Sequence, residues 1–138
     1  MNLEKFTWDN NMSIGNSKID NEHIQIFKIY NNLVDITNGI GYHDEFARVL
    51  TEMTNYALKH FEKEEKYMRQ MHYPKIQSHI EMHRKYIYKV AMFNVNYRVD
   101  TEIMEVLNFI NKWWNHHILG ADLEYENYRM NLNLNIEY

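Results

Sequence analysis

Residues 44–71, DEFARVLTEMTNYALKHFEKEEKYMRQM, decide the fold class of this chain. Apolar residues recur in this stretch at steps of three and four, which places them on one face of an α-helix. Two polar residues, His60 and Glu64, fall on the same face. The whole face consists of Phe46, Leu50, Met53, Ala57, His60, Glu64 and Tyr67. The stretch therefore predicts a long amphipathic helix whose buried side carries two metal-ligating residue types.

Three further stretches have the same periodicity, at about residues 18–38, 74–97 and 101–129. Gly39 and Gly41 are suited to end the first of them. Pro74 suits the first turn of the helix that follows residue 71, and Asp100 is placed to cap the last helix. We therefore predict four helices with short connections.

Four amphipathic helices of this kind predict an all-α protein, an up-down-up-down four-helix bundle, in a single domain over residues 1–138. An irregular N-terminal arm containing Phe6, Trp8 and Ile14 precedes the bundle. A short extended C-terminal tail follows it, and apolar and polar residues alternate over 130–136. The tail either lies on the bundle, which we expect, or forms a strand that pairs with another chain.

The composition narrows the function classes. The 138 residues include no Cys, which excludes disulfides, iron–sulfur clusters, cysteine-ligated zinc and a cysteine nucleophile. A net charge of −4 and a pI near 6.0 provide no basic surface for nucleic acid or an acidic membrane. We see neither a secretion signal nor a membrane-spanning stretch, and we expect a cytoplasmic protein. The oligomeric state is open, with a monomer slightly favoured.

Metal-ligating residue types lie on all four predicted core faces. His60 and Glu64 are four residues apart, as are His79 and His83, so each pair shares one side of its helix. A buried neutral histidine needs a partner at each ring nitrogen, and a buried carboxylate needs more. A divalent cation satisfies all of these groups at once. The set comprises His23, His60, Glu64, His79, His83 and His117.

The spacing of His117 and Asp122 predicts a local irregularity in the last helix. These residues are five apart, which in an ideal α-helix separates their side chains by about 140°. A π-helical turn brings such a pair together, and such turns are frequent at functional sites. We therefore predict a widening near Gly120 that turns Asp122 inward.

With Asp122 included, the cluster has five imidazoles and two carboxylates, which are too many ligands for one tetrahedral zinc. They fit two ions bridged by the carboxylates. Ligands rich in nitrogen and free of thiolate favour iron over magnesium or calcium, while manganese and zinc stay open.

Several motifs extend the pattern along nearly the whole chain. They are Trp8 with Ser13-Ile14-Gly15; Ile19-Asp20-Asn21-Glu22-His23; His60-Phe61-Glu62-Lys63-Glu64-Glu65; Tyr73-Pro74; His79-Ile80-Glu81-Met82-His83; and Trp113-Trp114-Asn115-His116-His117-Ile118-Leu119-Gly120-Ala121-Asp122. In these motifs the chain resembles the hemerythrins, in particular the single-domain bacterial hemerythrin-like proteins.

The resemblance implies two iron ions with a bridging oxo or hydroxo group, and dioxygen as their ligand. One iron would have three imidazole ligands and the other two, which leaves the second an open position for dioxygen, and two carboxylates would bridge them. The iron with three imidazoles would be held by His79, His83 and His117. The iron with two imidazoles would be held by His23 and His60. The bridging carboxylates would be Glu64 and Asp122.

A dry apolar pocket around the open position would slow oxidation of the iron. By position its lining is Ile26, Phe61, Trp113, Trp114 and Ile118, which would equally serve as bundle core. The family usually has Leu where this chain has Trp114. We therefore expect the replacement Trp114→Leu to change both the rate of oxygen release and the rate at which the iron is oxidised. Tyr125, three residues after Asp122, is placed to hydrogen-bond near the metals.

We expect no ligand role for the remaining histidines or for the acidic residues beside the ligands. We expect His43 and His72 to be solvated and His116 to lie at the surface or beside the ligands. A solvated face is also the expectation for Glu22, Glu62, Glu65 and Glu81.

We therefore expect a protein that binds dioxygen reversibly for storage, delivery or sensing, without catalytic residues. It would not be an enzyme, although side oxidase or peroxidase activity stays open. The alternatives are a di-iron enzyme of the peroxidase or nitric-oxide reductase type, iron storage or detoxification, and a structural bundle with a vestigial site.

Overall fold

A computed structural model describes residues 4–39, 43–96 and 100–138 of the chain. Its helices are α1 (Ser17–Thr37), α2 (His43–Gln70), α3 (Ile76–Asn96), α4 (Asp100–His117) and α5 (Leu123–Asn131). Helix α1 contacts α2 and α4, and α3 contacts the same two helices, so the four long helices enclose a common core. Within the described ranges there is no β-strand. The predicted all-α four-helix bundle is confirmed.

The start of α1 shows how the sequence fixes a helix boundary. The Asn16 side chain accepts hydrogen bonds from the backbone N–H groups of Lys18 and Ile19, at 3.2 and 3.3 Å. This satisfies two of the amide groups that a helix leaves unpaired at its N-terminus. Gly15, with φ of +88°, makes the preceding turn in a conformation that other residues rarely adopt.

The predicted start of the third helix is two residues early. Pro74 lies in a turn, and the Ile76 N–H donates to the Tyr73 carbonyl at 3.3 Å, so α3 begins only at Ile76. A bond across three residues closes a tight turn, whereas an α-helix needs four.

Some predictions about boundaries lie outside the described residues. These concern the helix end at Gly41, the end of the third helix near residue 97, and the side chains of His43 and Asp100.

The N-terminal arm packs on the bundle as an irregular segment. Phe6 is buried and stacks on Phe27 with 4.0 Å between ring centroids. The Phe6 backbone N–H donates to Asn31 Oδ1 at 2.8 Å, and Asn31 Nδ2 donates back to the Phe6 carbonyl at 2.9 Å. The arm therefore closes one side of the core through one aromatic ring and one reciprocal amide pair.

Helix α4, a π-helical turn at Ile118–Asp122 and helix α5 form one continuous rod. The backbone angles are helical at both junctions, His117 and Leu123. The Leu123 N–H reaches the Ile118 carbonyl five residues back, which is the hydrogen bond that defines a π turn. Asp122 is fully buried. The widening predicted from the spacing of His117 and Asp122 is confirmed.

After α5 the chain turns back along the bundle. Asn133 adopts a positive φ of 53°, and Arg129 Nη1 donates to the Leu134 carbonyl at 2.9 Å. Leu134, Ile136 and Tyr138 then pack against the core. The extended tail thus lies on its own bundle, as expected.

Across the described ranges, none of the helices combines the length and the apolar character that a membrane span requires.

Candidate metal centre

The structure brings all seven predicted ligands together in the middle of the bundle. They form two groups in which the ligand atoms lie within 4.8 Å of one another. Both groups contain two carboxylates, Glu64 and Asp122, so the groups overlap. One group adds His79, His83 and His117, and the other adds His23 and His60.

The group with three histidines draws its imidazoles from α3 and from the end of α4. His117 Nε2 lies 3.1 Å from His79 Nε2 and 3.2 Å from His83 Nε2. Asp122 Oδ1 approaches both His79 Nε2 and His117 Nε2 at 3.1 Å. The π turn makes this possible, because it turns the Asp122 carboxylate to the same side as the His117 ring.

The group with two histidines lies between α1 and α2. His23 Nε2 is 3.2 Å from Asp122 Oδ2, and His60 Nε2 is 2.9 Å from Glu64 Oε1. Each carboxylate therefore has one atom close to an imidazole of this group. Glu64 also receives a hydrogen bond of 2.7 Å from the Tyr125 hydroxyl, which fixes its orientation.

Unpaired polar atoms show that this cluster suits a cation. Six buried atoms in the described part of the chain have no hydrogen-bond partner: His23 Nδ1 and Nε2, His60 Nε2, Glu64 Oε1, and Asp122 Oδ1 and Oδ2. Some of them lie within 3.2 Å of each other, as above, but without the alignment of a hydrogen bond. Leaving so many buried polar atoms unpaired is costly, and metal ions would satisfy all of them except His23 Nδ1. Imidazole and carboxylate are ligands that iron accepts.

The ionisation of the two carboxylates and of His83 agrees with this use. Burial raises the pKa of Asp122, but the surrounding histidines outweigh burial and hold that pKa well below its usual range. Burial and Asp122 likewise raise the pKa of Glu64, and His60 and His83 outweigh them and lower it. Burial lowers the pKa of His83 to about 3, with His117 adding to the effect. Two ionised carboxylates and a neutral imidazole are protonation states that bind metal.

His60 and His79 have the opposite shift in the metal-free cluster. Burial lowers the pKa of His60, but Glu64 and Glu22 outweigh burial and raise that pKa to about 10. Burial also lowers the pKa of His79, and Asp122 outweighs it and raises that pKa. Metal binding at these two imidazoles therefore has to displace a proton, which makes it dependent on pH.

Glu22 and Glu65, which were predicted to lie on a solvated face, instead contact metal-ligand histidines. Glu22 accepts from His60 Nδ1 at 2.7 Å, and Glu65 accepts from His83 Nδ1 at 2.9 Å. Both carboxylates are partly buried, so the expectation of a solvated face is wrong for them. A carboxylate on Nδ1 places the proton there and leaves Nε2 free to bind metal.

The other two acidic neighbours, Glu62 and Glu81, are exposed as expected. His72 and His116 are exposed too, whereas the side chain of His43 lies outside the described residues.

Aromatic rings pack directly on the imidazoles. Phe61 stacks on His83 with 3.8 Å between centroids, and Trp113 stacks on His117 at 4.1 Å. Trp114 lies 6.0 Å from His60 and 6.4 Å from His23. These contacts limit the movement of the ligand side chains and keep water away from them.

All five residues of the predicted pocket lie in or beside this core. Ile26, Phe61, Trp114 and Ile118 are buried, whereas Trp113 is only partly buried. The Trp114 indole N–H donates to the Tyr86 hydroxyl at 3.0 Å, so it turns an apolar face toward the two-histidine group.

Sequence reasoning missed Tyr138. Its hydroxyl donates to Glu22 and lies 3.2 Å from His60 Nδ1. The alternation of apolar and polar residues indicated that the tail packs on the bundle, but nothing in that pattern indicates a contact with His60.

Comparisons with known proteins agree with the site. The model of the hemerythrin HHE cation binding domain matches residues 15–127. A bacteriohemerythrin of Clostridium acetobutylicum is 35% identical over 126 residues, covering 87% of this chain and 98% of that protein. A bacteriohemerythrin of Pseudomonas aeruginosa is 29% identical, with 89% of this chain and 80% of that protein covered. A hemerythrin-like protein of Naegleria gruberi is 26% identical, with 88% and 91% covered.

Proposed function

The chain belongs to the hemerythrin family, and on that premise we propose that its buried cluster holds two iron ions and binds dioxygen reversibly. The observation that carries the proposal is the overlap of the two ligand groups, which share Glu64 and Asp122. A shared pair of carboxylates suits two neighbouring ions better than one ion with seven ligands.

The unequal number of imidazoles in the two groups suggests where dioxygen binds. His79, His83 and His117 would hold one iron, and His23 and His60 would hold the other. If Glu64 and Asp122 both bridged the ions together with an oxo or hydroxo group, the first iron would have six ligands and the second would have five. We therefore assign the open position to the iron held by His23 and His60.

When bound, the two ferrous ions would supply two electrons to dioxygen and recover them on its release. The protein's own residues set the conditions for that exchange. Glu22 and Glu65 fix the orientation of His60 and His83 through their Nδ1 protons. Tyr125 orients Glu64 by a hydrogen bond to its Oε2 atom.

The surroundings of the site favour release of dioxygen over its consumption. Trp114 lies beside His23 and His60, and Ile26 and Ile118 are buried in the same core. Such a lining excludes water, which would slow the irreversible oxidation of the irons by dioxygen. Di-iron proteins of the ferritin type use more carboxylates, whereas this site has five imidazoles and two bridging carboxylates. This ligand set supports a binding protein over an oxidase or an iron store. A cytoplasmic location and a monomer stay predictions.

Anaerobic reduction followed by addition of oxygen tests the proposal. The protein should take up two irons per chain and develop a visible absorption band with oxygen. The band should disappear when oxygen is removed and return over several cycles. Rapid bleaching to the ferric protein, with hydrogen peroxide released, would instead favour an enzymatic or scavenging role. If the protein instead consumes added peroxide or nitric oxide catalytically, a peroxidase or a nitric-oxide reductase, respectively, would be favoured.

A further inference from the structure

Tyr138 reaches the outer side of the two-histidine group from the far end of the described chain. Its hydroxyl donates to Glu22 Oε1, the same oxygen that accepts from His60 Nδ1. It also lies 3.2 Å from His60 Nδ1 itself and 3.5 Å from the His60 carbonyl oxygen. The hydroxyl of Tyr138 therefore touches both members of the Glu22–His60 pair.

Further contacts hold Tyr138 in this place. Its ring lies 5.5 Å from the ring of Tyr67 at a steep angle of 84°, and Lys63 Nζ lies 4.6 Å above it. Lys63 also donates to Glu22 Oε2. The Glu22 carboxylate thus receives three donors, Tyr138 and His60 on one oxygen and Lys63 on the other. A partly exposed glutamate without such donors would move among several rotamers.

The position of Glu22 matters because His60 is one of only two imidazoles in its group. A carboxylate on Nδ1 fixes the ring orientation and makes Nε2 a better metal ligand. If Glu22 moves away, the His60 ring can rotate and Nε2 no longer points steadily at Glu64 Oε1, 2.9 Å away.

We propose that Tyr138 is a positioning residue of the two-histidine iron: its hydroxyl holds Glu22 where Glu22 orients His60. The inference rests on the proposed function in taking His23 and His60 as ligands of one iron. It adds to the site a residue outside the matched hemerythrin domain, which ends at residue 127. The segment 132–138 then has two roles: it packs against the bundle core, and through Tyr138 it helps to orient a metal ligand.

Tyr138→Phe tests the role of the hydroxyl because it keeps the ring against Tyr67 and Lys63. Tyr67→Phe is the matched control. It also removes one tyrosine hydroxyl next to Tyr138, but that hydroxyl bonds Glu126, at 2.9 and 3.0 Å, instead of Glu22. Wild type and both variants are loaded anaerobically with two ferrous ions per chain and then challenged with a ferrous chelator.

Tyr138→Phe should release one of its two ions about tenfold faster than wild type, the lower end of the effect of residues that orient metal ligands. The second ion should leave at the wild-type rate, and Tyr67→Phe should release both ions as wild type does. The inference is overturned if Tyr138→Phe matches Tyr67→Phe. It is also overturned if both ions leave equally faster, since that would mean a general loss of structure.

A second measurement uses zinc alone, so it involves no redox chemistry. In the zinc-loaded protein, the His60 Nδ1 proton should exchange with solvent faster in Tyr138→Phe than in wild type or Tyr67→Phe. Unchanged exchange would contradict the proposed contact.

If wild type fails to bind oxygen reversibly but the selective effects on iron release and proton exchange occur, the proposed function fails and the role of Tyr138 stands. If oxygen binding is reversible and both effects are absent, only the role of Tyr138 fails.

Discussion

Replacement of Trp114 by leucine tests how far one indole both supports the bundle and shields the metal centre. Trp114 is fully buried, and its ring lies 5.6 Å from Phe61 in a stacked arrangement. Its N–H donates to the hydroxyl of Tyr86, which is also fully buried. The substitution therefore removes apolar volume from the core and takes a donor away from Tyr86.

Both losses have known magnitudes. Truncation of a buried Trp to Ala costs about 3–5 kcal/mol, and leucine retains part of that packing, so this contribution is about 2–3 kcal/mol. A buried hydroxyl that loses its partner adds about 1–3 kcal/mol. We expect Trp114→Leu to lower the free energy of unfolding by about 3–6 kcal/mol, a large share of the roughly 5–15 kcal/mol typical of a domain.

Urea unfolding, followed by circular dichroism on zinc-loaded proteins at one free-metal concentration, measures this change. A double variant, Trp114→Leu with Tyr86→Phe, separates the two contributions because it also removes the unpaired hydroxyl. It should be more stable than Trp114→Leu alone by about 1 kcal/mol or more. The reasoning is refuted if Trp114→Leu costs less than 1 kcal/mol, or if the double variant is the less stable of the two.

The same substitution should alter the behaviour of the iron-loaded protein. Trp114 lies beside both His23 and His60, so a smaller residue opens space next to the proposed oxygen-binding iron. Water then reaches the site more easily, and we expect faster oxidation of the oxygenated protein and a changed rate of oxygen release. Trp114→Phe, which keeps an aromatic ring, should have a smaller effect. Rates identical to wild type in Trp114→Leu would show that the indole does not shield the site.

Three further changes test other parts of the site. Glu65→Gln should weaken metal retention about 10- to 100-fold, because Glu65 accepts from His83 Nδ1; competition with a chelator measures it, and the exposed Glu62→Gln should have no effect. Equal retention in the two variants would contradict this. Tyr125→Phe removes a hydrogen bond to the Glu64 carboxylate and should cost about 1.5–3 kcal/mol in urea unfolding, so a cost near zero would mean that Glu64 finds another donor. Removal of metal should lower the melting temperature, since a free-metal concentration 100 times the dissociation constant stabilises the fold by about 2.7 kcal/mol; calorimetry at several metal concentrations measures this, and a melting temperature independent of metal would contradict it.

The sequence was sufficient to predict the residues that come together, because helical periodicity carries that information directly. Six of the seven ligands lie on stripes of otherwise apolar residues, and a polar group on such a stripe faces the core. The five-residue step from His117 to Asp122 even predicted the π turn, since an unbroken α-helix would point one of the two away.

The contacts around the ligands could not be predicted in the same way. Glu22 is on α1, one residue before His23, yet it serves His60 on α2. Its position along α1 is off the core stripe, and only the packing of two helices brings it to the imidazole. The general need of a metal-bound histidine for an acceptor at Nδ1 was the available signal. It indicates that such a carboxylate should exist but not which one.

Tyr138 was still less accessible to sequence reasoning. The segment 132–138 has no helical periodicity, and its course depends on the positive φ of Asn133 and on the Arg129 contact to the Leu134 carbonyl. Neither feature is visible in a pattern of apolar and polar residues. The start of α3 was missed for a related reason, because Tyr73 and Ile76 close a turn where a helix was predicted.

The carboxylates that orient His60 and His83 also determine the electrical charge of the site. Glu22 and Glu65, together with Glu64 and Asp122, bring four negative charges to the five imidazoles. Lys63 and Arg69 touch the outer two, but their side chains are 53% and 62% exposed, so water screens their charge. Two divalent cations would balance these four side-chain charges, and a bridging hydroxo group would add one negative charge. Uncompensated charge is expensive in a buried place. The four carboxylates therefore match two divalent ions, and any positive charge added by oxidation would have to be balanced by the bridging group and the bound ligand.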